Sequence, residues 1–207
     1  MRLSTIGTIG CGCVLLVCAG GALFFAWPFI FRPPHPAGYD ALLGAINRED
    51  AEGVKAVLDS GVNPNLYPNA EADIQLEDDI VPLDQAAENG NAEIVELLLN
   101  HGADPNKGDG WHANPLAAAT QNDKTEVMLL LIEGGAKVND YPAGSSALWR
   151  AAWDRRVDTV KFLLDHGALA NTRMNTPASE TLLHALKTSE ESSEIIEILE
   201  QHGAKDK

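Results

Sequence analysis

The feature that most constrains the fold is a motif that recurs five times after residue 38. In each copy a leucine is followed 19 or 20 residues later by a glycine that precedes a small apolar residue. The leucines are Leu42, Leu83, Leu116, Leu148 and Leu183, and the glycines are Gly61, Gly102, Gly135, Gly167 and Gly203. Successive leucines lie 41, 33, 32 and 35 residues apart, so a unit of about 33 residues repeats. Such a period predicts a stacked solenoid rather than one closed core.

Each unit has the sequence signals of two helices. Pro82 and Pro115 stand where a helix begins and a missing N–H costs nothing. A second apolar stretch precedes each repeat glycine, which suits the left-handed residue that ends many helices. Asp123 and Glu126 have capping-box spacing at the start of the third unit's second helix. Two residues before four of the five leucines, a short oxygen-bearing side chain can cap the first helix; these residues are Asp40, Asn114, Ser146 and Thr181.

The repeated pattern closely resembles the ankyrin repeat. The best copy is VPLDQAAENGNAEIVELLLNHGADPN at 81–106, followed by NPLAAATQNDKTEVMLLLIEGGAKVN at 114–139 and SALWRAAWDRRVDTVKFLLDHGALAN at 146–171. An asparagine lies four residues after each of the first four glycines, at Asn65, Asn106, Asn139 and Asn171. The glycine between the two helices of a unit survives only as Gly90. The end copies depart most from the pattern, as expected of units whose outer faces meet water.

The resemblance covers residues 39–205 and implies an all-α ankyrin-repeat solenoid within a domain at 39–207. Its five helix-turn-helix repeats are expected at about 39–65, 80–106, 107–139, 140–171 and 172–205.

An acidic insertion at about 66–79 separates the first two repeats. The chain takes 21 residues from the repeat glycine to the next helix start here, against 13 residues in the third unit. Lengthening a loop by this amount costs little free energy, so the segment can persist without a role. It is either a docking loop for a basic partner or a divalent ion, or a solvated loop that adds charge. Its acidic residues, which do not match a calcium-binding loop, are Glu71, Asp73, Glu77, Asp78 and Asp79.

The amino-terminal segment is expected to cross a membrane. No charged residue occurs from Leu3 to Phe31, a stretch long enough to span a bilayer as a helix. We therefore predict a single transmembrane signal anchor at 1–31 and a proline-rich stalk at 32–38. A cleaved signal peptide and a lipoprotein acylated at Cys18 are the alternatives. Arg2 lies at one end of the span and Arg32 at the other, and the positive-inside rule weakly favours a non-cytoplasmic (periplasmic or extracellular) repeat domain.

Composition excludes several classes of function. Residues 33–207 contain 13 Lys+Arg against 30 Asp+Glu, a net charge of −17, which disfavours nucleic-acid binding. All three cysteines lie in the first 18 residues, so the repeats contain no cysteine nucleophile or thiolate metal ligand. No phosphate-binding loop or hydrolase motif occurs. Three of the six histidines directly precede repeat glycines and would be spaced too widely to share a metal ion. We predict no enzyme activity, no metal, no cofactor and no small-molecule substrate.

Binding of a protein is the remaining function. In an ankyrin stack the hairpin tips and the exposed side of the first helices line a concave groove. The register implied by the resemblance places six residues there: Trp111, His112, Gln121, Tyr141, Arg150 and Trp153. Trp, Tyr and Arg dominate the binding energy of protein interfaces. The alternative for Trp149 and Trp153 is packing between adjacent repeats.

These inferences combine into one leading hypothesis. The chain is expected to be a membrane-anchored protein–protein interaction module with an acidic groove, and its net charge favours a basic partner. The alternative is an inhibitor or immunity protein that neutralises a cationic toxin or enzyme outside the cytoplasm.

Overall fold

The computed structural model describes residues 16–17, 23–24, 37–66, 80–108, 114–121, 123–139, 146–172, 181–188 and 193–205. The chain forms two compact units, Met1–His35 and Pro36–Lys207. The predicted stalk and the predicted acidic insertion lie almost entirely outside the described residues. The domain limits proposed from the sequence stay predictions.

The first unit contains two short strands, β1 (Leu16–Val17) and β2 (Leu23–Phe24), which pair antiparallel. The sequence predicts a continuous helix through these four residues, so the structure differs there. Val17 is β-branched and Phe24 is aromatic, and both types of residue favour strand. The rest of the predicted anchor lies outside the described residues. Among the helices that the structure describes, none is both long enough and apolar enough to cross a bilayer.

The described part of the second unit contains five pairs of antiparallel helices. The first helices of the pairs are α1 (Tyr39–Asn47), α3 (Pro82–Asn89), α5 (Pro115–Thr120), α7 (Ala147–Trp153) and α9 (Leu182–Thr188). The second helices are α2 (Ala51–Asp59), α4 (Ala92–Asn100), α6 (Thr125–Glu133), α8 (Val157–Asp165) and α10 (Ser193–Gln201). The predicted all-α solenoid is confirmed for this unit.

Capping side chains begin the first helices of the last three repeats as predicted. The side-chain oxygens of Asn114, Ser146 and Thr181 accept hydrogen bonds from the amides of Ala117, Trp149 and His184, at 2.9, 3.2 and 3.3 Å. The prediction for Asp40 is wrong, because α1 begins at Tyr39 and its N-cap is the left-handed Gly38, two residues before Asp40. Its carboxylate instead lies in the first turn, where the helix dipole favours a negative charge.

Helices of neighbouring repeats pack in two layers around one apolar core. The first helices contact one another in the order α1, α3, α5, α7, and we call this the first-helix layer. The second helices pack likewise, α2 on α4, α4 on α6 and α8 on α10, and form the second-helix layer. Paired alanines such as Ala86–Ala87 and Ala151–Ala152 are fully buried, and their small size lets adjacent helices approach closely.

Asparagine side chains tie each repeat to the next. The Nδ2 of Asn106 donates to the Gly135 carbonyl at 3.1 Å, and its Oδ1 accepts from the Lys137 amide at 2.8 Å. The same two bonds recur from Asn65, Asn139 and Asn171 to the repeat glycine of the next unit and to the amide two residues beyond it. All five repeat glycines have a positive φ, between 84° and 97°, and in the last four the carbonyl group accepts the bond from the asparagine of the preceding repeat.

The turn between the two helices of a repeat uses a left-handed residue. Gly90 has φ 76°, and a Cβ there would lie 2.4 Å from the Cε of Lys124 in the next repeat. Glu49, Asp123 and Arg155 occupy the same register with φ of 56°, 53° and 61°. Only glycine adopts this conformation without strain. Repeats 1, 3 and 4 therefore accept a strained side chain.

The capping-box prediction for Asp123 is wrong. The N-cap of α6 is Lys124, which makes no side-chain capping bond. The Asp123 carboxylate turns to the fourth repeat instead, where it accepts hydrogen bonds from Nη1 of Arg156 and from Oγ1 of Thr159. The Thr159 bond is 2.7 Å long, and Thr159 is fully buried. The left-handed φ of Asp123 directs its side chain into this contact between repeats.

Tyr39 fixes the end of the acidic insertion to the first repeat. Its buried hydroxyl donates to the Ile80 carbonyl at 2.7 Å and lies 3.1 Å from the Ile80 amide, which donates to it. The chain therefore leaves the insertion at a fixed point beside α1.

Candidate functional site

The described residues include half of the predicted binding site. Gln121, Arg150 and Trp153 lie in the first-helix layer or its turns, while Trp111, His112 and Tyr141 lie outside the described residues. Gln121 follows the last residue of α5 and occupies the register that Trp153 has in α7. Because α5 and α7 pack side by side, the structure places these two residues on adjacent rungs of one layer.

The two tryptophans of α7 have opposite environments. Trp149 is 3% exposed and belongs to the apolar core, as the packing alternative predicts for it. Trp153 is 58% exposed, so the same alternative is wrong for Trp153. A tryptophan left this exposed on a helix with a packed core beneath it is a marker of a binding surface.

Arg150 lies one helical turn before Trp153 and therefore on the same side of α7. Its Nε donates to Oδ2 of Asp154 at 3.1 Å, an i,i+4 pair that restrains the guanidinium on this side of α7. Both partners are about one third exposed, so the pair is screened by water and contributes little to stability. Its main effect is to position Arg150.

The net charge of the chain hides the charge distribution of the first-helix layer. We define the repeat 3–4 patch as the described residues of 115–124 and 147–156, the first helix and turn of repeats 3 and 4. Its charged residues are four cations, Lys124, Arg150, Arg155 and Arg156, and two carboxylates, Asp123 and Asp154. The expected acidic groove is therefore wrong for this patch. Helical register alone could have revealed it, had charge been counted by layer.

Within the described helices, the acidic charge lies mainly on the second-helix layer. Its five helices contain eleven Asp and Glu residues and two lysines, whereas the five first helices contain three carboxylates and two cations. One carboxylate in the first turn of every second helix explains part of this excess, since the helix dipole stabilises it there; these residues are Glu52, Glu93, Glu126, Asp158 and Glu194.

Histidines join the end repeats to their neighbours. His101 Nε2 lies 3.1 Å from Oδ1 of Asp59, and His202 Nε2 lies 4.0 Å from Oδ1 of Asp165. A hydrogen bond to the Leu97 carbonyl and the bond to Asp59 raise the pKa of His101 above its usual value. Across the described stretches of the chain, no group of three His, Cys, Asp or Glu side chains is placed to hold a metal ion.

Comparison with known proteins identifies the repeats. Residues 83–175 match the family model for ankyrin repeats in three copies. The chain is similar to the fowlpox virus ankyrin repeat protein FPV222, with 29% identity over 72% of this chain and 18% of that protein. It is similar to zygote-specific protein 3 of Chlamydomonas reinhardtii, with 34% identity over 54% of this chain and 30% of that protein.

A third relative is an enzyme. Serine/threonine-protein kinase 12 of Arabidopsis thaliana is 35% identical over 46% of this chain and 19% of the kinase, and the match is confined to its repeats. The aligned regions span less than a third of each of these three relatives, so the likeness concerns the repeats alone.

Proposed function

Because residues 83–175 are ankyrin repeats, which form a protein–protein interaction module, we propose that this chain holds a protein partner on the first-helix layer of repeats 3 and 4. The single observation that supports this position is the exposure of Trp153 beside the oriented Arg150. Ankyrin repeats bind unrelated proteins through one scaffold, so the position has to be argued from these side chains rather than from the family. Trp111, His112, Gln121 and Tyr141 complete the proposed site.

Capture of the partner by a variant chain tests the site. The triple variant Trp111→Ala, Arg150→Ala, Trp153→Ala of the full chain should lose a partner that wild type retains after crosslinking in cells. The matched control, Leu129→Ala with Lys161→Ala, truncates exposed side chains of the second-helix layer and should retain it. If the triple variant keeps the partner while the control loses it, the proposed site is on the wrong layer.

We also propose that residues 1–31 anchor the chain in a membrane and that the repeats lie on its non-cytoplasmic side. The support is the uncharged stretch from Leu3 to Phe31 and the weak bias of Arg2. A reporter enzyme that is active on only one side of the membrane, fused after Lys207, tests the orientation. Extraction of the chain by carbonate without detergent would contradict the anchor.

The alternative function, an inhibitor or immunity protein against a cationic toxin or enzyme, is supported by the acidic second-helix layer. Eleven carboxylates against two lysines would attract a basic protein and speed its association. Such a partner would dock on the opposite side from Trp153. The test is whether the chain protects cells from one toxin. Protection that is lost when Glu96 and Glu133 are replaced with lysine, but is kept in Trp153→Ala, would favour this alternative over the proposed site.

A further inference from the structure

The first helices and their turns change sign along the stack. In repeats 1 and 2, residues 39–50 and 82–91 carry a single cation, Arg48, and five carboxylates: Asp40, Glu49, Asp50, Asp84 and Glu88. The repeat 3–4 patch has the reverse ratio, four cations to two carboxylates. Residues 33–207 contain more than two acidic residues for each basic one. The exposed Trp153 nevertheless lies where basic residues outnumber acidic ones.

Both carboxylates of the patch are already engaged within the protein. Asp154 accepts from Arg150, and Asp123 accepts from Arg156 and Thr159. The bond to Asp154 uses the Nε of Arg150, and an arginine has five N–H donors in a planar fork. A ligand carboxylate can therefore add to Arg150 without displacing Asp154.

We infer that the repeat 3–4 patch binds a segment of the partner protein that carries carboxylates next to an apolar or aromatic side chain. This inference rests on the proposed function and specifies the partner's chemistry. The apolar side chain covers the indole of Trp153, and the carboxylates meet Arg150 and Arg155.

Charge complementarity also sets the direction of the segment. The carboxylates of repeats 1 and 2 repel an acidic chain, so the acidic part of the segment is confined to repeats 3 and 4. Any basic residues of the partner lie towards α1 and α3. The net charge of the whole chain, which favours a basic partner, misses this local reversal.

Selection from a random peptide library tests the inference. The probe is a phage library of random 12-residue peptides, selected on the immobilised full chain, and the affinity of each retained peptide is then measured for wild type and for Trp153→Ala. We expect the retained peptides to have net negative charge and an aromatic or large aliphatic residue. Trp153→Ala should weaken their binding about thirtyfold, as for a hot-spot tryptophan.

A matched pair of charge reversals isolates the role of Arg150. Arg150→Glu should weaken the selected peptides at least tenfold, and Lys161→Glu, the same charge change in the second-helix layer of the same repeat, should change their affinity less than twofold. Circular dichroism melts of each variant verify that the fold is intact.

The outcomes separate this inference from the proposed function. Peptides that need Trp153 but are neutral or basic would overturn the inference and leave the binding site in place. Peptides that bind wild type and Trp153→Ala equally would overturn the proposed site itself. An empty selection would count against both.

Discussion

Replacing Asn106 with alanine tests whether the asparagine bonds hold the stack together. Asn106 joins the second and third repeats through two hydrogen bonds, to the Gly135 carbonyl and from the Lys137 amide. A hydrogen bond contributes a net stability of about 0.5 to 1.5 kcal/mol, and the lower half applies here because water can reach both backbone groups. Asn106→Ala should therefore lower the free energy of unfolding by about 1 to 2 kcal/mol, which corresponds to a drop in Tm of roughly 2 to 8 °C.

Urea unfolding of the full chain, followed by far-ultraviolet circular dichroism, measures this loss of stability. Asn100→Ala is the matched control, because Asn100 is an exposed residue at the end of α4 with no side-chain hydrogen bond to another described residue. Its replacement should be neutral or stabilise by up to about 0.5 kcal/mol through helix propensity. If Asn106→Ala and Asn100→Ala unfold at the same urea concentration, the asparagine bonds do not stabilise the stack.

Three further predictions concern the left-handed turns, the two tryptophans of α7 and His101. Glu49→Gly should raise the free energy of unfolding by about 0.5 to 1 kcal/mol, because the relief of left-handed strain exceeds the entropic cost of ordering a glycine. Asp123→Gly should instead lower the free energy of unfolding, because it removes the bonds from Asp123 to Arg156 and Thr159 in the fourth repeat. Trp149→Ala should cost about 3 to 5 kcal/mol and Trp153→Ala less than about 0.5 kcal/mol in urea unfolding. The pKa of His101 is higher in the folded chain than in the unfolded chain, so protonated His101 stabilises the fold. This stabilisation is complete below the unfolded pKa and is lost as the pH rises through the folded pKa. His101→Gln should therefore be more destabilising at about pH 5 than at about pH 8.

Each of these predictions has a result that would contradict it. Equal gains from Glu49→Gly and Asp123→Gly would mean that the carboxylate bonds of Asp123 add nothing. A cost for Trp153→Ala close to that for Trp149→Ala would show that Trp153 is part of the core. If the difference in free energy of unfolding between His101→Gln and wild type does not vary with pH, His101 and Asp59 do not form a stabilising charged pair.

The repeat architecture could be predicted because each unit repeats the same local chemistry. The side-chain oxygens of Asn114, Ser146 and Thr181 predict where the first helices begin. The repeat glycines predict where the second helices end, because glycine readily adopts the left-handed φ found there. The Asp123 capping box failed because a bond to the next repeat competes with a local cap, and sequence spacing shows only the local one. The strands within the predicted anchor reflect a similar competition, in which the strand preference of Val17 and Phe24 outweighs the helix expected from uniform hydrophobicity.

The candidate site was only partly predictable. Register placed Gln121, Arg150 and Trp153 in the first-helix layer, as the structure has them. Register could not tell which of the two tryptophans of α7 is buried, since that depends on how α7 packs on the apolar core. The net charge pointed to an acidic groove, because an average over the chain hides the separation of charge between two helix layers.

The most direct test of the central claim is site-specific photo-crosslinking from the first-helix layer. A photo-reactive phenylalanine replaces Lys124, in the turn of the repeat 3–4 patch, in one full-length variant and Lys161, in the second-helix layer, in another, so each probe replaces one lysine and Trp153 is kept in both. We expect one partner protein to crosslink strongly at position 124 and only weakly at position 161. Equal crosslinking at both positions, or crosslinking at position 161 alone, would contradict the proposed site.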